Sequence, residues 1–178
     1  MPVFARTKLL ISDDCMKPPG AAALILKYSG PNPQNIYEKS KEIATTVWAL
    51  EPGAIQEKEM NWDRSGMGEK FTIKMEITKD IDVFSFMLIR IEIEGETKPS
   101  RQFGKEGSAS ARIEAMIRTE YPQDTLWQRS LFYEFFRVLY HRLIYEDTRK
   151  KYLQECKENT IRFQEELKSF LNLSPKIK

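Results

Sequence analysis

The sequence predicts an α+β protein in which a long antiparallel sheet of about six strands packs on a long aromatic C-terminal helix and one N-terminal amphipathic helix. Two observations predict this class. Apolar residues alternate with polar ones through the middle of the chain, and they recur at helical spacing near both ends. A length of 178 residues fits a single domain spanning 1–178.

The first third of the chain predicts two strands and a helix. Apolar runs at 3–11 and 22–28 flank a Pro-Pro-Gly turn, so we expect two short strands that pair as a hairpin. A helix is predicted at 33–50, with Asn32 as its N-cap and Pro33 at its first position.

From Ile55 onward the period is two, as in strands buried on one face. Long strands are predicted at 70–79, 82–95 and 108–120. A flat strand of thirteen residues would be roughly 40 Å long, well beyond the usual strand. We therefore expect a strongly twisted sheet, whose concave face a helix can occupy.

The segment 95–107 is predicted to be an exposed loop. It carries Lys98, Arg101 and Lys105, which are the residues we would assign to nucleic-acid binding. Composition argues against such binding, because 28 basic and 26 acidic residues alternate along the chain and leave a net charge of only +2.

Residues 126–145 form the most apolar helical segment, with thirteen large apolar or aromatic residues in twenty. A helix of this kind needs other parts of the protein, a ligand or a second chain packed against most of its sides. If the segment is core, Phe135→Ala would destabilise the protein by ~3–5 kcal/mol. Residues 146–172 are predicted to be a helical extension or a second C-terminal helix, with a possible break at 146–151. This part either packs back onto the domain or pairs with a second copy.

The order strand, strand, helix, four strands, helix resembles the helix-grip arrangement of START-like and Bet v 1-like proteins. In those proteins a curved antiparallel sheet wraps a long C-terminal helix, so the resemblance implies a hydrophobic cavity between sheet and helix. The resemblance is one of the order of strands and helices along the chain, and no functional residue is carried over from it.

Two functions are predicted. The first is a soluble, non-catalytic binding module that holds an apolar or amphipathic small molecule between the sheet and the C-terminal helix. The second is a structural or interaction module that forms homodimers through its aromatic helices. The residues expected to line the ligand site are Met87, Ala111, Ala115, Trp127, Phe135 and His141.

Catalysis is not predicted, because the sequence has no catalytic or metal-binding motif and therefore implies no metal or cofactor. An enzyme using His141 with an acidic partner is the next hypothesis. Cys15 and Cys156 lie far apart without a motif, which favours free thiols and a cytoplasmic location. No uncharged stretch of 18 residues exists, so no membrane span is expected.

Overall fold

The protein folds into a six-stranded antiparallel sheet with an N-terminal helix and a long C-terminal helix packed on it. The computed structural model describes residues 9–16, 23–51, 53–64, 68–121 and 125–173. Its strands are β1 (Leu9–Asp14), β2 (Ala23–Pro31), β3 (Ile55–Asp63), β4 (Glu69–Asp80), β5 (Ser85–Ser100) and β6 (Gly104–Tyr121). Its helices are α1 (Asn35–Val47), α2 (Leu131–Tyr140) and α3 (Glu146–Leu173), with a π-helical turn at His141–Tyr145 between the last two and a short 3-10 turn at Trp127–Arg129.

The sheet has the order β1-β6-β5-β4-β3, and β2 also pairs with β6. Both β1 and β2 run antiparallel to β6, with Leu10 opposite Glu120 and Leu26 opposite Ala111. Because β5 occupies the other edge of β6, β1 and β2 lie one after the other along the same edge. The predicted hairpin between the first two strands is therefore wrong. An 18-residue β6 is long enough to pair with both in turn.

The long strands predicted from the period of two are confirmed as β4, β5 and β6. The predicted loop at 95–107 is wrong, because β5 continues to Ser100 and β6 begins at Gly104, which leaves a three-residue turn. In this region side chains still alternate between the inner and outer faces of the sheet, and Thr97 is buried. Lys98 and Lys105 are therefore strand residues in the β5–β6 hairpin.

The inner face of the sheet carries the core. Buried side chains alternate along the strands and meet those of α1 and α3 in one cluster. Trp48, just after α1, contacts Phe163 of α3 with ring centroids 4.9 Å apart. Both side chains are fully buried, so this pair anchors the two helices against the sheet.

The helix that covers the sheet is α3 and not the aromatic segment that the sequence favoured. Its residues Cys156, Thr160, Phe163 and Leu167 are fully buried at spacings of four, three and four. Helical structure continues from α2 into α3 through the π-helical turn, so of the two alternatives for 146–151, a break or a continuous helix, the structure has the continuous helix. Phe135 is 60% exposed, which overturns the expectation of an aromatic core helix.

A disulfide joins Cys15, at the end of β1, to Cys156 in α3. Their Cα atoms are 5.8 Å apart although 141 positions separate them in sequence. The expectation of two free thiols is wrong, because the fold brings the edge of the sheet against the helix. The link ties the strand edge to the element that covers the core.

Candidate functional site

The C-terminal helix has one half on the sheet and one half beyond it. α3 contacts α1, β2 and β6, whereas the main neighbours of α2 are the adjoining 3-10 and π-helical turns. At its start α2 is capped by Ser130, whose hydroxyl accepts a hydrogen bond from the Tyr133 N–H at 3.2 Å. α2 is thus a well-formed helix that projects from the body of the domain.

Most large apolar side chains of α2 and the following turn are exposed to solvent. We define the α2 apolar surface as Leu131, Phe132, Phe135, Phe136, Val138, Leu139, Leu143 and Ile144. Leu126 and Trp127, in the turn before α2, are also exposed. Aromatic side chains have about 150–250 Å² of surface each, so the exposed parts of the three phenylalanines alone amount to roughly 300–500 Å². With its aliphatic members the surface exceeds the ~300–600 Å² of the largest patch on a typical monomer.

The opposite side of the helix faces the end of the sheet. Arg137, His141, Tyr145 and Arg149 recur every four residues, so they share one face of the helix. Arg149 binds Asp13 of β1, with its guanidinium nitrogen 2.7 Å from the carboxylate. This row joins the projecting helix to the ends of β1 and β6.

His141 contacts Tyr121, the last residue of β6. The Tyr121 hydroxyl and His141 Nδ1 are 2.7 Å apart and share a hydrogen bond. Burial lowers the pKa of His141, and the positive charge of Arg149 lowers it further. Burial also raises the pKa of Tyr121. If the neutral imidazole carries its proton on Nε2, the Tyr121 hydroxyl donates this hydrogen bond to Nδ1.

Tyr145 is held by a polar cluster at the start of β5. Its hydroxyl lies 2.9 Å from Asp82 Oδ2 and 2.6 Å from Ser85 Oγ, which in turn lies 2.8 Å from Thr119 Oγ1. Burial raises the pKa of Asp82, but hydrogen bonds from the Phe84 N–H, the Tyr145 hydroxyl and the Ser85 N–H together hold it below its usual value. The carboxylate therefore stays ionised and fixes the π-helical turn to the sheet.

A cavity of about 310 Å³ lies beside His141, between α2 and the end of the sheet. Ile11 and Val138 give it apolar walls, and Tyr121, Arg137 and His141 add polar groups. Arg142 and Glu146 complete its lining. Its volume is at the lower end of the range for small-molecule sites.

The structure does not bring the six predicted ligand residues together. Met87, Ala111 and Ala115 are packed in the core between sheet and helices. Trp127 and Phe135 lie on the exposed side of the C-terminal segment. His141 lines the cavity described above. The small side chains on β6 therefore let α3 approach the sheet, and the aromatic residues belong to a different surface.

Sequence reasoning missed Tyr121 and the importance of Arg137 as a buried residue. Tyr121 comes directly after the predicted strand 108–120, and its partner on the helix is 20 positions away. The spacing of Arg137, His141 and Tyr145 was visible in the sequence. It did not indicate which face of the helix turns toward the sheet.

Within the described ranges, no three His, Cys, Asp or Glu side chains are grouped as metal ligands would be. No helix in that part of the chain is both long enough and apolar enough to cross a membrane.

Fold and site together define an α+β protein whose six-stranded antiparallel sheet carries a long C-terminal helix. The chain matches no protein-family model and no curated protein sequence. Among solved structures it is similar to a protein of unknown function from Staphylococcus aureus, SA2116, at 11% sequence identity and a TM-score of 0.28. That alignment covers 94% of this chain and 95% of the other. No functional conclusion follows from a similarity at this level.

Proposed function

We propose that this protein is an interaction module that forms homodimers through the α2 apolar surface. The observation that carries the proposal is the size of that surface on a helix projecting from the domain. Exposed apolar area of this extent is unfavourable in water, and covering it with another apolar surface is the main driving force for association.

A second copy of the chain is the partner that fits. Two copies related by a two-fold axis present the same surface to each other, so the apolar side chains of one helix cover those of the other. The direction of α2 is fixed, because the helix continues into α3, which the Cys15–Cys156 disulfide ties to β1. A fixed helix loses little conformational entropy when it associates.

Sedimentation velocity over a range of concentrations tests the proposal. We expect a dimer for the unmodified protein and a monomer for Phe135→Glu, because a carboxylate in the contact would be buried without a partner. Ile25→Glu is the matched control, since Ile25 on β2 is 58% exposed against 60% for Phe135 and lies outside α2. A monomer at every concentration, or equal effects of both substitutions, would overturn the proposal.

Binding of an apolar or amphipathic small molecule is the second candidate function. The cavity beside His141 favours it, whereas the packed interior between the sheet and α3 does not. Native mass spectrometry distinguishes the two candidates, because it reports subunit number and retained small molecules together. A dimer without added mass supports the first, and a monomer with added mass supports the second.

A further inference from the structure

Arg137 is a charged residue in the wall of the cavity beside His141, yet it is only 9% exposed. Its Nη2 donates a hydrogen bond to Glu134 at 3.1 Å. Its Nη1 is closed off from solvent and has no hydrogen-bond partner among the described residues. The guanidinium carbon lies 5.9 Å from the centre of the Tyr121 ring.

A buried guanidinium nitrogen without an acceptor is costly, because its desolvation is not offset by a hydrogen bond. The neighbouring charges also favour an anion. The lining holds two basic side chains, Arg137 and Arg142, against one acidic side chain, Glu146. Glu146 is paired with Lys150 at 3.0 Å, and Arg137 is paired with Glu134 at 3.1 Å. His141 supplies a largely uncharged ring, because burial and Arg149 lower its pKa.

We infer that the cavity beside His141 binds a small amphipathic anion, and that the Arg137 side chain turns its Nη1 toward the cavity to donate hydrogen bonds to the carboxylate or phosphate group of this ligand. The apolar part of such a molecule would lie against Ile11 and Val138. This inference rests on the second candidate function and names the class of ligand. A guanidinium offers parallel N–H groups that match both carboxylate and phosphate oxygens, so the two anions share the same recognition.

A series of ligands with the same eight-carbon chain tests the inference on the full-length protein. Titration calorimetry with octanoate, octyl phosphate and octanol compares two anionic head groups with a neutral one, and inorganic phosphate tests the head group alone. We expect at least one of the two anions to bind about tenfold or more tightly than octanol, since a charge-assisted hydrogen bond contributes more than a neutral one. The relative affinities of octanoate and octyl phosphate distinguish a carboxylate site from a phosphate site.

Substitution of Arg137 locates the binding. Arg137→Gln should lose the preference for the anion, and Arg137→Lys should keep part of it because the charge remains but the paired N–H groups do not. Arg112→Gln is the matched control, since Arg112 lies on the outer face of the sheet with its side chain 54% exposed. Circular dichroism shows whether each variant is folded. If Arg137→Gln does not fold, the ligand series on the unmodified protein still tests the preference for an anion.

The outcomes separate the inference from the function on which it rests. Equal affinities for octanol and both anions would overturn the anion preference and leave small-molecule binding in place. Absence of binding by all four probes would overturn both. Tight binding that Arg137→Gln and Arg112→Gln leave equally unchanged would place the ligand elsewhere and overturn the inference.

Discussion

The Tyr145 hydroxyl donates a hydrogen bond to Asp82 at 2.9 Å and thereby joins the π-helical turn to the loop between β4 and β5. The same carboxylate accepts the backbone N–H groups of Phe84 at 2.8 Å and Ser85 at 2.7 Å. Asp82 therefore shapes the start of β5 and holds the helix at the same time. The projecting half of the helix begins directly beyond this contact.

Tyr145→Phe should lower the free energy of unfolding by about 1.5–3 kcal/mol, the usual range for a hydrogen bond to a charged group. The ring stays, so packing against Phe84 is kept and the change reports on the hydroxyl. Urea unfolding measures the difference. Tyr140→Phe is the control, because Tyr140 stacks on Tyr145 but is 40% exposed. Equal costs for the two substitutions would contradict the role assigned to the Tyr145 hydroxyl.

Stability should fall as pH decreases below 6.5, and His141 should be the cause. Burial, followed by Arg149, lowers the pKa of His141 in the folded state, while Glu146 and Asp13 partly oppose this. The unfolded chain therefore binds the proton more readily, and folding loses free energy as pH falls from the unfolded pKa of 6.5 to the lower folded pKa. Above this window the group is neutral in both states and causes no change.

Thermal unfolding between pH 5.5 and 7.5 measures this dependence. His141 is the only histidine in the chain, and the shifted carboxyl groups, such as Glu57 and Asp82, titrate at lower pH. His141→Gln should therefore remove most of the decrease in Tm across this range. A variant that keeps the full decrease would show that another group is responsible.

The local structure was predictable where one period dominates. In β4 the buried residues Phe71, Ile73, Met75 and Ile77 occupy every second position, as the sequence indicated. The helix predicted at 33–50 is present as α1. Both results follow from patterns within a few residues of each other, which backbone geometry relates directly to a buried face.

What the sequence did not reveal was which surfaces meet. The aromatic segment is more apolar than α3, and this favoured it as the helix against the sheet. Periodicity shows that an apolar surface needs cover, but not what covers it. The contact of Tyr121 with His141 and the pairing of Cys15 with Cys156 depend on the arrangement of the whole chain, so no local pattern indicated them.

Phe135→Ala and Phe163→Ala should have very different costs. Phe163 is fully buried against Trp48, so its truncation should lower the free energy of unfolding by about 3–5 kcal/mol. Phe135 is 60% exposed, so its truncation in the monomer should cost about 1 kcal/mol or less. Urea unfolding at low protein concentration measures both without the contribution of association. A cost for Phe135→Ala near that of Phe163→Ala would mean that α2 packs in a core.

Reduction of the Cys15–Cys156 disulfide should lower the free energy of unfolding by about 3–5 kcal/mol. The link closes a loop across 141 positions, and a loop of this length strongly restricts the unfolded chain. Urea unfolding with and without a reducing agent measures the effect, and the double variant Cys15→Ala with Cys156→Ala should not respond to the agent. Alkylation in denaturant without reduction should label neither cysteine. Two labelled cysteines would contradict the disulfide and restore the argument for a reducing compartment, which rested on free thiols.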